Sequence, residues 1–481
     1  MDDESQVRAE LTRIKHVVKQ NFRRVKKVQN KRIHIRDDEP PRRGSGSGTR
    51  TTLHRTAVED TPASPSDQTS GETPCIWAPS LVQESAFRET ALLMHYLDYI
   101  FPLQYPYYHD NPKIGGRGWL LWLLTKNTPL HQAMLTLAAL HQQVTFAAGS
   151  EQVETELIEY HTKALGGLRQ ALCVGQDIYL PEHSDKLINI VACGAFLISF
   201  ELLRGGKNDW QAHLNALCSI ASKLSPPTHI LADSSTTTKE VQPDVARSLG
   251  QARRNAQDFL FCAVLWFDIL GCTSTGVQPR MPYQSWLNSE RIDMASVLGC
   301  ENWVMEVIGD LATVDASQGW LSPAESHGLL SDALQRLNEG TTALRAREPP
   351  LPISHHVTRV FAAAAIVQVQ ALMLEKDENR GNLVAVIDQT IDAFQQFPDG
   401  VSVRTLMWPV CIAGCLASGD QQAFFEQLMV GICEQGNARI GSCESVMQVL
   451  RYCWDRRATN TTGVYGWRKA MMELDAYILL V

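Results

Sequence analysis

The residues in this 481-residue chain best suited to hold a metal or form a nucleophile are its 12 cysteines and 14 histidines. The cysteines stand at 75, 173, 193, 218, 262, 272, 300, 411, 415, 433, 443 and 453. No pair shows the two-residue gap of a redox dithiol or a zinc ribbon. Cys411 and Cys415 are four apart and share a helix face, but no histidine lies near them in sequence. Most cysteines fall in apolar runs such as IVACGAF and FLFCAVLWF, where a thiol acts as a small hydrophobe. His355–His356 reads as a helix start, and His141 and His161 as core imidazoles on apolar helix faces. The sequence holds no HExxH, GxSxG or GxxxxGK[ST] pattern, and no GxGxxG between a strand and a helix. The expectation is therefore no catalytic, cofactor-binding or metal residue, and no enzyme. A helical site of unrecognised type stays open as a third reading.

The chemistry that stands out is basic. Residues 1–50 carry 14 Lys/Arg against 7 Asp/Glu, a net of +7, whereas the other 431 residues sum to −15. A basic arm on an acidic body hints at a polyanion partner. Within NFRRVKKVQNKR, the candidate contacts to nucleic acid or to the nuclear-import machinery are Arg23, Arg24, Lys26, Lys27, Lys31 and Arg32. Such cations displace counterions from phosphates and give salt-dependent affinity without sequence preference. Reading bases needs an ordered element in a groove. DNA binding by this chain alone is thus expected to be weak and non-specific. The plainer alternative is a solvated, solubilising face.

An element is needed to present these charges. Over residues 4–35, Val7, Leu11, Ile14, Val18, Asn21, Val25 and Val28 follow spacings of 4, 3, 4, 3, 4 and 3, a heptad seam. Residues 1–36 are therefore read as a basic heptad helix. Asn21 sits where a polar residue fixes register. A seam this short is marginal alone, so a dimerising helix and a solvated helix both remain. Residues 37–80, with GSGSG and Thr/Ser/Pro-rich text, read as a disordered linker.

Residues 81–481 read as an all-α body of many antiparallel helix pairs. Helices are expected at 87–100, 130–148, 157–172, 184–204, 209–224, 251–271, 301–313, 326–346, 354–375, 382–397, 402–418, 420–435, 439–457 and 464–478. Pro- and Gly-rich breaks fall at 225–243, 273–283, 348–352 and 398–400. The longest apolar stretch, Leu187–Leu203, contains Asn189, Ser199 and Glu201, and reads as a core helix too short for a comfortable membrane span. The charged start lacks an apolar leader, and the cysteine usage suits a reducing cytosol or nucleus. No membrane association is expected.

The body resembles the fungal-specific transcription factor domain, the all-helical regulatory region that follows the binuclear zinc cluster in many fungal regulators. The resemblance runs over most of Ala86–Val481. It is carried by ETALLMHYLDYIFPLQYP (Glu89–Pro106) with Asn111-Pro112, LTLAALH (Leu135–His141), and Tyr160-His161 with Ala164-Leu165. Further on it is carried by Trp210, His213 and Leu214, by MWPVCIAGCLA (Met407–Ala417), by VMQVLRYCW (Val446–Trp454) and by GWRKAMMEL (Gly466–Leu474). Phe87–Tyr108 is similar to the acriflavine-sensitivity-type regulators in particular. Trp210, Trp408, Trp454 and Trp467 also read as core anchors, and His213 as an interhelix hydrogen-bonding residue.

The resemblance implies a nuclear, RNA polymerase II type transcription regulator. Its partners would be itself or related regulators, paired through the heptad seam, and the transcription machinery. The six closely spaced cysteines that hold two zinc ions in this family are not found: the first cysteine is Cys75. The expectation is a chain without the zinc module and without a cofactor. A helical scaffold or ligand-binding protein outside transcription is the alternative reading.

Overall fold

The computed structural model describes residues 81–481 apart from 111–115, 127, 147–150, 174–183, 208, 224–243, 375–380, 435–440 and 460–464. Glu89–Val481 forms one compact unit, and Leu81–Arg88 belong to the unit before it. The fold is all-α, as expected: among the described residues there is no strand, only an isolated antiparallel bridge between Lys207 and Ile478. The heptad seam, the basic cluster and the linker lie outside the described residues.

The first helix, α1 (Leu81–His95), loosens into a π-turn at Tyr96–Ile100 and tightens again as α2 (Phe101–Gln104). The extra residue of a π-turn shifts the face that follows. A short α3 (Gly118–Leu124) leads to α4 (Pro129–Thr145), which starts on Pro129 and packs on α5 (Glu151–Leu172) and α6 (Ser184–Leu203). Then come α7 (Trp210–Ala221), the 32-residue α8 (Asp244–Thr275), and short α9 (Tyr283–Leu287) and α10 (Met294–Leu298). The second half holds α11 (Asn302–Ala316), α12 (Pro323–Arg345), α13 (Ile353–Leu374) and α14 (Gly381–Gln395). It ends with α15 (Met407–Leu416), α16 (Asp420–Glu434), α17 (Cys443–Thr459) and α18 (Trp467–Glu473).

Local sequence sets several of these ends. Ser322 and Glu325 form a reciprocal capping box ahead of Pro323, which fixes the start of α12. The Asp293 side chain accepts the Ser296 N–H and opens α10, and Gly299, at φ 81°, closes it. The Tyr107 ring lies 2.7 Å from where a Gly299 Cβ would sit, so both the turn and the packing require glycine there. α13 is apolar nearly all round, and is accordingly buried against α11, α12, α14 and α15.

Three described windows, Asp185–Leu203, Arg247–Thr275 and Ile353–Leu374, are long and apolar enough to cross a membrane by length and composition. Length thus does not disqualify the first of them, contrary to the sequence expectation. Burial accounts for its apolarity instead: 83% of that window lies inside the protein.

The core is organised on the last turns of α8. Trp408, fully buried, donates its indole N–H to the Thr273 hydroxyl at 2.9 Å. Trp467 donates to the Thr273 carbonyl at 3.0 Å. Trp210 lies against Gly271, 3.0 Å from the position of a Cβ, and donates to the Tyr477 carbonyl at 2.9 Å. Three distant tryptophans therefore meet within three residues of one helix. Trp408 also stacks flat on Phe361 of α13, at 5.5 Å and 1°. Trp454, half-buried, donates to the Gly414 carbonyl at 2.8 Å. Each large apolar surface is thus buried without orphaning its N–H.

After α18 the chain departs from the expected helix at 464–478. Asp475 takes a left-handed φ of 47°, and Ile478, Leu479 and Leu480 are buried in an extended tail. The Leu479 N–H donates to the Gly206 carbonyl at 3.3 Å.

Trp408→Ala should lower the free energy of unfolding by about 3–5 kcal/mol, because a large void opens where the ring stacked. Trp320, 92% exposed, serves as the control: its replacement by alanine should change stability by no more than about 0.5 kcal/mol. Urea unfolding of both variants checks this.

Candidate functional site

The residues singled out for chemistry take up structural roles. Cys411 and Cys415 face each other in α15 at 3.9 Å, both fully buried. Burial pushes the Cys415 thiol well above its ordinary range, the opposite of an activated nucleophile. Among the described residues no group of three or more His, Cys, Asp or Glu is placed to hold a metal ion. His355 and His356 lie in the first turn of α13, as expected of a helix start.

His141 behaves as a satisfied core imidazole: His95 Nε2 lies 3.0 Å from its Nδ1. Burial, His95 and Arg404 together hold His141 neutral, with a pKa lowered to about 4. His161 differs from the expectation. Its ring stacks on Phe200 at 4.6 Å, but its buried Nε2 has no hydrogen-bond partner. Stacking on an aromatic ring satisfies the face of an imidazole and not its edge, which apolar periodicity does not distinguish.

A cavity of about 90 Å³ is lined by none of these groups. Its wall is assembled from segments far apart in sequence. The turn after α2 supplies Tyr105 and Tyr107, α6 supplies Ser199 and Leu202, and α8 supplies Trp266 and Phe267. Val297 and Leu298 close one side, Arg404 and Thr405 another, and Ser442, Cys443 and Val481 complete it. The Tyr107 hydroxyl donates to the Ser402 carbonyl at 2.6 Å, and the Gly441 N–H to the Leu203 carbonyl at 3.4 Å. These bonds fix two of the walls. No sequence motif marks this site. The only signal was the family-like stretch Glu89–Pro106, which ends on its wall.

The cavity is mostly apolar and aromatic, with hydroxyls and one guanidinium. It can hold and orient a small molecule. Its hydroxyls, Ser199, Thr405 and Ser442, have no His, Asp or Glu beside them in the lining to act as a base, and burial raises its one thiol, Cys443.

Residues 91–481 match the family described as the fungal-specific transcription factor domain. The chain is 28% identical over 395 residues to a trichothecene biosynthesis transcription regulator of Trichoderma arundinaceum, across 77% of this chain and 92% of that protein. A trichothecene biosynthesis transcription regulator of Fusarium sporotrichioides is 27% identical, across 82% and 98% respectively. The pestheic acid cluster transcriptional regulator 3 of Pestalotiopsis fici is 26% identical, across 82% and 75%. No solved structure matches the chain.

On the same turn of α6 as the cavity wall, Glu201 is 6% exposed and lies 3.5 Å from Arg204. Burial outweighs Arg204 and raises its pKa to about 7. A carboxyl whose folded-state pKa is raised stabilises the fold below its unfolded value, and that contribution is lost as pH rises through about 7. His161 and His213 work in the other direction. Burial lowers each to about 4, so their contribution is present above pH 6.5 and lost as pH falls through 4. Glu201→Gln should therefore gain stability relative to wild type as pH rises from 5 to 8. Chemical unfolding of both proteins at several pH values in that window measures the difference; a gap that does not change with pH would show that Glu201 ionises normally.

Proposed function

This chain belongs to the fungal-specific transcription factor domain family, and on that premise we propose that it controls transcription of a set of fungal biosynthetic genes. It is a transcription regulator. The observation that carries this reading is the family match across 91–481, joined to relatives of related length that are named as regulators of biosynthesis. The Fusarium relative is matched over 98% of its own length. This supports the helical body as the principal part of such a regulator.

In this reading the protein works in the nucleus, has no catalytic role and holds no resident cofactor. The spread of its cysteines through core helices, nine of the described ones buried, supports the last point. The arm supplies the remaining parts. Val7, Leu11, Ile14, Val18, Asn21, Val25 and Val28 form the seam for pairing with a second copy or a related regulator. Arg23, Arg24, Lys26, Lys27, Lys31 and Arg32 supply nuclear import and weak, salt-dependent contact with DNA. Contact with the transcription machinery falls to the acidic helical body.

Deleting the gene should lower or raise the transcripts of one group of co-expressed biosynthetic genes several-fold, with most others unchanged. RNA sequencing of the deletion strain reads this, and an unchanged transcriptome under producing conditions contradicts it. Replacing Leu11 and Ile14 with aspartate in the full chain should halve the sedimenting mass, since a charge at each seam position opposes pairing. An unaltered profile removes the seam from the account.

A further inference from the structure

We propose that the cavity between α6, α8 and the turn before α15 binds a small neutral oxygenated molecule, an alcohol or a ketone. Its oxygen lies on the hydroxyls of Ser199, Ser442 and Thr405, and its carbon skeleton lies against the apolar wall. Nothing in this assignment depends on which genes the protein controls; it stands on the cavity alone.

The hydroxyls carry it. Three polar residues interrupt the apolar run Leu187–Leu203, and two of them have partners within the protein. Asn189 donates to the Asp185 carbonyl at 2.7 Å, and Glu201 lies 3.5 Å from Arg204. The third, Ser199, is 3% exposed, and its hydroxyl has no hydrogen-bond partner among the described residues. A helical hydroxyl can turn back to the carbonyl four residues earlier, as Thr136 does to Gln132 at 2.7 Å. Ser199 does not, and it lines the cavity. Ser442, 4% exposed, enters the same lining from the turn before α17, and its hydroxyl also lacks a partner among the described residues. Thr405 Oγ1 lies near the Tyr107 hydroxyl but too far to bond it, and is buried with no other partner. Buried hydroxyls without hydrogen bonds are costly and rare, so three around one small volume point to an occupant that bonds them.

Size and wall chemistry bound the rest of that occupant. Cavities of about 150 Å³ hold a benzene ring, so about 90 Å³ encloses a group of a few carbons. Leu202, Trp266, Phe267 and Leu298 offer water few hydrogen-bond partners, so a carbon skeleton is the better neighbour for them. The rim residues Leu103, Gln104 and Pro106 are only partly covered, which gives such a molecule a way in.

Charge excludes ions. Arg404, the one ionic side chain in the lining, already has an interaction partner, and Val481 brings the chain-terminal carboxylate to the same lining. An anion would leave water for a site with no free cation and a like charge beside it. A neutral oxygen exchanges its hydrogen bonds with water for bonds to the three hydroxyls.

The test uses the full chain with butanone as probe and butanoate as its anionic analogue, titrated by saturation-transfer NMR. Wild type should bind butanone saturably, and butanoate about tenfold or more weaker. Ser199→Ala combined with Ser442→Ala should weaken butanone binding about tenfold or more, since two hydrogen bonds are lost. Without ligand, the same variant should melt no lower than wild type, because the hydroxyls it removes have no partner in the protein. That melt separates lost binding from lost folding. Unchanged butanone affinity in the double variant, or butanoate bound as tightly as butanone, overturns the assignment. A lower melting temperature also overturns it, because the hydroxyls would then be bonded within the protein. No saturable binding of butanone up to about 50 mM leaves water as the occupant and overturns the site itself.

Discussion

The structure depends on one turn of one helix. At the C-terminal end of α8, Gly271 leaves room for the Trp210 ring, and Thr273 accepts the indole N–H of Trp408 on its hydroxyl and that of Trp467 on its carbonyl. Burying an indole removes a large apolar surface from water, but an unpaired N–H would cost about 1–3 kcal/mol of that gain. Sending both N–H groups to one residue satisfies them without other buried polar side chains. It also fixes where α7, α15 and α18 meet α8. The tail after α18 is held in the same way, since the Trp210 N–H ends on the Tyr477 carbonyl.

The cavity is a consequence of this arrangement. Trp266 and Phe267, on its wall, sit little more than a turn before Gly271 on the same helix. Val481, on the opposite side, belongs to the tail that Trp210 holds. An occupant would touch both the helix that carries the tryptophan contacts and the tail that those contacts position. Among the side chains that line the cavity, Arg404 alone is ionic, and it sits in the turn just before the α15 helix that Trp408 anchors. A regulatory domain needs elements whose arrangement responds to what is bound. Here the cavity and the packing anchors lie on shared elements.

Much of the fold could be read from the sequence because a 3.6-residue period was present almost throughout. The stripes of α5, α6 and α13 gave helix class and approximate ends, and the Pro349–Pro350 break fell where α12 gives way to α13. The misses have physical causes. α8 runs from 244 to 275, well beyond 251–271, because its polar ends keep helical geometry without an apolar stripe. The tail YILLV is a short apolar run, which cannot be told from a helix by periodicity. It became an extended segment because Asp475 turns left-handed and Leu479 bonds to Gly206. Short α3, α9 and α10 hold no full apolar repeat, so no periodicity marks them. The family-like tryptophans are packing anchors, as their places on apolar helices imply, but the meeting of Trp408 and Trp467 on Thr273 joins positions up to 194 residues apart in sequence. The cavity draws on seven such segments and was invisible for the same reason. The seam and basic cluster fall outside the described residues.

The central claim is that the domain is assembled around the Gly271–Thr273 turn, and a matched pair of glycine substitutions tests it most directly. Gly271 and Gly328 both lie within helices. A Cβ at Gly271 would press on a Trp210 ring that its hydrogen bond and burial prevent from yielding, whereas a Cβ at Gly328 would meet nothing. In urea unfolding, Gly271→Ala should lose about 1–3 kcal/mol, and Gly328→Ala should gain about 0.4–1 kcal/mol from the stiffer unfolded chain. Gains of similar size at both positions would contradict the account, because the turn would then have slack where it is described as full.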